Sequence, residues 1–196
     1  MFHDIPDRIQ ERMNYLRNLD AADRKDGTPL LQRLRQVPPE TGKFLVLIAS
    51  NVPKGQLIEI GTSGGYSTLW IILSCIKTER KIKTFEVLKE KVHLAKETFK
   101  VAQVESYVEL IFGDARDYLG KTEEIAFCFL DAEKEYYKAC YDLIVPKMVK
   151  GAFLIADNAI SHEEDLKPML DQAMMDKRID SLIVPIGSGL LICRKH

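Results

Sequence analysis

The stretch that most constrains this chain is Gln56-Leu57-Ile58-Glu59-Ile60-Gly61-Thr62-Ser63-Gly64-Gly65-Tyr66-Ser67-Thr68-Leu69-Trp70. Three glycines fall within five residues, between a short apolar run that carries an acid and an apolar segment of helical spacing. This is how a strand, a tight turn and a helix are written. Glycine allows positive φ and a close approach that a Cβ would block. The turn is therefore suited to wrapping a nucleoside-bearing cofactor, with amide groups near the helix start as donors. Glu59 stands near the carboxyl end of the strand, where open α/β sheets place their ligand crevices. For a glycine cluster alone, a βα turn without a ligand is the plain alternative.

The segments after the turn repeat the same grammar. An apolar helix is expected over residues 66–76, then the strand Ile82–Glu86. Glu86 lies 21 residues past Gly65, the spacing at which a second-strand acid can accept hydrogen bonds from ribose hydroxyls. An amphipathic helix over 88–102 leads to a strand at Val108–Phe112 followed by Asp114. The buried strand Ile125–Leu130 ends at Asp131, with Lys134 three residues on. A helix over 136–149, kinked near its end by Pro146, precedes a strand over 151–156 that ends at Asp157-Asn158. Five strands each followed by an acid imply a parallel sheet, with Glu59, Glu86, Asp114, Asp131 and Asp157 at one carboxyl rim. A helix over 163–176 and two strands, 181–185 and 189–194, close the chain. The connection Ile186-Gly187-Ser188 is short enough to demand an antiparallel hairpin.

Ahead of the turn, residues 6–35 read as one or two amphipathic helices interrupted at Asp26-Gly27-Thr28-Pro29. After the break at Pro38-Pro39 a helix is expected over 43–51. This leading part, residues 1–50, is expected to cover the sheet without chemistry of its own, or else to line the substrate site as well. The whole chain of 196 residues is expected to form one domain, with residues 56–196 as its core.

A net charge of −1 with mixed signs along the chain does not suggest nucleic acid or an anionic membrane as the main partner. No signal peptide or membrane anchor is read in the sequence. Cys75, Cys128, Cys140 and Cys193 lack CxxC spacing and lie mostly in apolar segments, as buried thiols of a reducing, cytoplasmic protein would.

Taken together, Glu59-Ile60-Gly61-Thr62 with Gly65-Tyr66-Ser67, Phe85-Glu86, Gly113-Asp114-Ala115, Asp131-Ala132-Glu133-Lys134 with Tyr137, Asp157-Asn158 and Pro185-Ile186-Gly187 resemble a family. They are similar, in order and spacing, to the S-adenosylmethionine-dependent O-methyltransferases related to the catechol and caffeoyl-CoA enzymes. The resemblance implies a Rossmann-like, doubly wound, seven-stranded α/β sheet, mostly parallel with a C-terminal antiparallel hairpin. It implies a homodimer that methylates a hydroxyl of a small catechol- or phenol-like acceptor.

Residue by residue, the resemblance implies that Glu59, Gly61, Thr62, Ser63, Gly65 and Ser67 hold the methionine end of the cofactor. Glu86 would take the ribose, and Asp114 and Ala115 would lie beside the adenine. Asp131 would lie near the cofactor and, with Asp157 and Asn158, would bind a divalent cation such as Mg²⁺. Lys134 would act as general base. The chain is shorter between Asp157-Asn158 and Pro185 than in the plant relatives, so the acceptor's identity does not carry over. Metal-independent transfer and a non-catalytic S-adenosylmethionine-binding domain are alternatives. A serine hydrolase is another, because Gly61-Thr62-Ser63-Gly64-Gly65 fits a nucleophile elbow, and Ser63, Asp131 and His162 follow in triad order. His162 alone reads as a base, a ligand or a helix-start residue.

Overall fold

The computed structural model describes residues 2–196. Its seven strands are β1 (Gln56–Ile60), β2 (Ile82–Glu86), β3 (Val108–Phe112), β4 (Ile125–Leu130), β5 (Met148–Ala156), β6 (Ile179–Val184) and β7 (Leu190–Lys195). They form one sheet in the order β3-β2-β1-β4-β5-β7-β6. All pairings are parallel except those of β7, which runs antiparallel to both β5 and β6. The closing hairpin is thus present, and β7 is inserted between β5 and β6.

Central strands must be apolar on both faces, and β4 is buried at all six positions. From Phe127 onward its side chains alternate between the two faces, and a register irregularity between Ile125 and Phe127 puts Ile125 on the face opposite Phe127. Phe127 and Phe129 join Leu16, Leu45 and Leu69 on one face, while Ile125, Cys128 and Leu130 join Tyr141 and Leu166 on the other. The first face is covered by α1 (Asp7–Asp23), α2 (Pro39–Ala49), α3 (Tyr66–Thr78) and α4 (Lys89–Val101). The second is covered by α5 (Ala115–Leu119), α6 (Tyr137–Ile144) and α7 (Glu163–Met175). Among the described residues no helix is long and apolar enough to cross a membrane. The four cysteines are buried free thiols.

From β1 the chain runs outward to β2 and β3 on one side, then returns to pair β4 on the other. Ile60 is level with Phe85 and Leu130, and Leu130 with Ala156. Glu86, Asp114, Asp131 and Asp157 therefore come out along one edge, beside the switch point where such sheets bind ligands, while Glu59 stays buried one residue inside β1.

Two elements depart from the sequence reading, each for a local reason, while residues 6–35 hold one of the one or two helices expected, ending at Asp23. Beyond it, Asp26 accepts from both the amide and the hydroxyl of Thr28, at 2.9 and 2.6 Å. Asp23 and Asp20 accept the amides of Leu34 and Gln36, so side chains fold this connection back instead of a second helix. The helix expected from residue 43 begins at Pro39, where a proline at the first helical position is well tolerated. The one expected over 136–149 ends at Ile144, because Pro146 forces a 3-10 turn and releases Met148 and Val149 into β5.

Candidate active site

Glu59 is fully buried behind the glycine turn and does not line the cleft at the sheet's carboxyl edge. Its carboxylate accepts hydroxyl hydrogen bonds from Ser67 at 2.6 Å, Thr68 at 2.5 Å and Thr84 at 2.6 Å. Thr62 in turn hydrogen-bonds Thr84 at 2.5 Å. Burial pushes the Glu59 carboxyl up to about 7, against the three hydroxyls that favour its ionised form. This acid ties β1, β2 and the start of α3 together behind the turn.

The glycines of the turn answer to packing. A Cβ on Gly61, whose φ is +104°, would lie 2.1 Å from the Asp131 carbonyl oxygen. One on Gly65, whose φ is +89°, would lie 2.8 Å from the Phe99 ring. The turn's amides are also engaged internally. Those of Gly61 and Thr62 donate to the Phe85 carbonyl, that of Gly65 to the Thr62 carbonyl, and that of Ser63 to Glu86 Oε2. The donors expected to face a ligand are, at these four positions, used in holding the turn's own shape. Gly61, Thr62, Ser63 and Ser67 line the cleft, whereas Gly65 does not.

Glu86 is 7% exposed, and its carboxylate accepts from the amides of Ser63, Val87 and Leu88 at 2.8 to 2.9 Å. It thereby pins the glycine turn to the start of α4 while lining the cleft. Asp114 caps α5 through the Arg116 amide and pairs with the Arg116 guanidinium, which lies 4.0 Å from the Tyr136 ring centre. That pairing holds the Asp114 carboxyl below its usual range. Ala115 is buried beside it on the cleft wall.

At the ends of β4 and β5 the acids are less well satisfied. Asp131 Oδ1 lies 3.4 Å from Lys134 Nζ and 3.5 Å from the Tyr137 hydroxyl. Lys134 Nζ also donates to the Ala132 carbonyl at 3.1 Å and to the Tyr137 hydroxyl at 3.0 Å. Asp157 is 4% exposed, and its Oδ1 has no hydrogen-bond partner. Burial first, and the charge of Asp131 second, hold the Asp157 carboxyl well above the ordinary carboxylate range. Asn158, at φ +64°, donates its amide to Ser161 Oγ at 3.1 Å, and Ser161 Oγ is 3.0 Å from His162 Nδ1. Among the described residues no three His, Cys, Asp or Glu side chains gather as a metal site. Any cation here would draw on the Asn158 amide oxygen as well as the two carboxylates.

Ser63 Oγ donates to the Leu34 carbonyl at 2.9 Å, and among the described residues no hydrogen bond joins it to His162. The hydrolase triad is not assembled. His162 is the exposed N-cap residue of α7, at the cleft's edge.

Glu86, Asp114, Asp131, Lys134, Asp157 and Asn158 border one cleft of about 480 Å³. A hollow of similar volume, about 510 Å³, lies between α4 and β3. It contains none of the five strand-end acids, so the rim cleft is the candidate. The leading segment does line this cleft, through Leu30, Leu31, Leu34, Arg35 and Val37. Arg35 forms an ion pair with Glu133, joining the segment to the loop after β4. Lys91 also lines the cleft and is 7% exposed. Sequence reading missed both. Their signal was a cation standing where helix spacing demands a buried residue, at Lys91, and a cation next to an apolar Leu34, at Arg35.

The O-methyltransferase family pattern matches residues 9–196. A catechol O-methyltransferase of Mycobacterium tuberculosis is 31% identical over 63% of this chain, a match that spans only 57% of that relative's length. A caffeoyl-CoA O-methyltransferase of Stellaria longipes is 25% identical over 80% of this chain and 75% of its own. Among solved structures, an O-methyltransferase from Bacillus cereus in complex with SAH superposes with a TM-score of 0.78 at 21% identity, covering 95% of this chain and 91% of that one. The SAH-bound methyltransferase PaMTH1 of Podospora anserina gives 0.81 at 22%, covering 98% and 89%. At these identities the superpositions establish the fold. With the match of the family pattern across nearly its whole length, the chain belongs to the O-methyltransferase family.

Proposed function

We propose that this protein transfers a methyl group from S-adenosylmethionine to a hydroxyl of a small catechol- or phenol-like acceptor, assisted by a divalent cation. The observation that carries the reading is the meeting of Glu86, Asp131, Lys134 and Asp157 around one cleft at the switch point of the sheet. The catechol and caffeoyl-CoA relatives, and neighbours solved with SAH, support it.

The chain's groups suit the cofactor's parts. Glu86 retains a lone pair on Oε2 for a ribose hydroxyl beside the three amides it already accepts. Ala115 and Val87 offer apolar wall for the adenine next to Asp114. Glu59 acts from behind, by fixing the turn on which the methionine end rests.

The β4–β5 end fits a hard cation. Asp157 Oδ1 is buried and unpartnered, Asp131 is its charged neighbour, and the Asn158 amide completes an all-oxygen set. When bound, S-adenosylmethionine supplies an electrophilic sulfonium methyl, and the cation lowers the pKa of a hydroxyl bound to it. Lys134, in its amine form, would take the proton from the acceptor hydroxyl. Its contacts to the Ala132 carbonyl and Tyr137 hydroxyl hold Nζ beside Asp131 for that purpose. The segment around Leu30 and Leu31 would exclude water and keep nucleophile and methyl carbon in line.

The test is a methyl-transfer assay with labelled S-adenosylmethionine and a panel of catechols and phenols, with Mg²⁺ and with chelator. Turnover of at least one acceptor, abolished by chelator, is expected. Turnover unaffected by chelator would remove the cation from the proposal. No turnover despite tight cofactor binding would replace the enzyme with a binding domain.

A further inference from the structure

Lys91 is a cleft side chain whose placement is still unaccounted for. It is more than nine-tenths buried, yet its ammonium has no hydrogen bond or ion pair among the described residues. Its stem is covered while Nζ, which is not one of the buried polar atoms without a partner, opens to the cleft. It lies on the face of α4 that also presents Leu94, Ala95 and Thr98. That face packs on the glycine turn, since Cβ atoms on Gly64 and Gly65 would come within 3.1 and 3.3 Å of Leu94 and Thr98. Burial lowers the Lys91 pKa, with Glu86, Glu133 and Asp131 acting in the other direction and Arg35 in the same one.

Each of those acids already has a partner. Glu86 is held by three amides, Glu133 by Arg35, and Asp131 by Lys134. The turn's amides at Gly61, Thr62, Ser63 and Gly65 are engaged too, so they are not free donors for an anion. S-adenosylmethionine has a single anionic group, the carboxylate of its methionine portion. Its sulfonium and amino groups would be repelled by an ammonium, and its ribose and adenine are neutral. We propose that Lys91 is a cofactor-binding residue whose ammonium takes the methionine carboxylate of S-adenosylmethionine. The inference rests on the reading that this cleft binds that cofactor.

The test compares S-adenosylhomocysteine with its decarboxylated analogue, by dissociation constant, on the full chain and on Lys91→Met and Lys91→Arg. The wild type is expected to prefer the carboxylated ligand. Lys91→Met should weaken S-adenosylhomocysteine by about 10- to 100-fold, the scale of a charge-assisted contact. It should leave the analogue's affinity nearly unchanged, and Lys91→Arg should restore most of the preference. Lys91→Gln, read in the same way, serves if the Met variant does not fold. Equal weakening of both ligands would assign Lys91 a structural role and overturn the inference. So would an intact preference in Lys91→Met, even if KM for a carboxylated acceptor rose. A wild type that binds neither ligand would remove the cofactor reading itself, and the inference with it.

Discussion

At the β1–β2 end of the cleft, Glu59 accepts three hydroxyls and Glu86 three amides. At the β4–β5 end, Asp131 has a long contact to Lys134, and Asp157 keeps a buried oxygen with no partner. The acids come from equivalent places, the ends of parallel strands, and have similar exposure at Glu86 and Asp157, 7% and 4%. What differs is how far the protein itself satisfies them. The first pair builds the frame and stabilises the fold without help. The second leaves a buried Asp157 oxygen unpartnered beside the charge of Asp131, which protonation or a ligand would relieve, and that is the pattern of a site maintained for function at a cost in stability.

The sharpest way to break this contrast is Asp157→Asn. Removing a buried charge beside Asp131 should stabilise the fold by about 1–2 kcal/mol, read as a higher Tm without cofactor or metal. The same change should lower kcat by about two orders of magnitude or more, since Lewis-acid stabilisation is worth several kcal/mol. A variant that is less stable than wild type would mean that the carboxylate serves the fold, and the two ends of the cleft would no longer differ in kind.

The contrast also marks what the sequence could show. Strand ends and acids were readable because the continuous apolar run of β4, closed by an acid, and the glycine turn after β1 leave short-range patterns. The rim followed from topology rules alone. How each acid is satisfied was not readable. Glu59 and Glu86 are both strand-end glutamates, and only the three-dimensional arrival of Ser67, Thr68 and Thr84 seals the first one in. The reason for each glycine was likewise hidden, since the atoms that exclude a Cβ belong to Asp131 and Phe99, far along the chain. Residues 24–38 were the least legible part. Their course is set by Asp20, Asp23 and Asp26 accepting backbone amides, and no hydrophobic period records that. Short α5 gave too few residues for a helical period to appear.

A second test acts on the satisfied end, through pH. The Glu59 carboxyl is raised from 4.5 to about 7 in the fold, so the folded protein favours its protonated form. The penalty for ionising it is absent below about pH 4.5 and complete above about pH 7. Against Glu59→Gln, which cannot ionise, the wild type should therefore lose relative stability as pH rises through that window. The expected change in the difference is about 1–3 kcal/mol, reduced by the hydroxyls that solvate the carboxylate. Thermal or urea unfolding of both proteins at pH 5 and pH 8 measures it. A stability difference that does not move with pH would show that the three hydroxyls fully offset burial, and Glu59 would then resemble an ordinary surface carboxylate in its titration.

The smallest effect is expected where the leading segment meets the rim. Arg35 and Glu133 are each about a third exposed, at 35% and 38% of their side-chain surface. An ion pair open to solvent gains little Coulomb energy and must order two long side chains, so such pairs contribute roughly 0.2–1 kcal/mol. A double-mutant cycle with Arg35→Gln and Glu133→Gln should give a coupling in that range, shrinking further in high salt as screening increases. The pair then holds the segment over the cleft without fixing it, which suits a wall that must admit and release ligands. A coupling of several kcal/mol that salt does not reduce would instead make the segment part of the rigid frame, on a level with the Glu59 cluster.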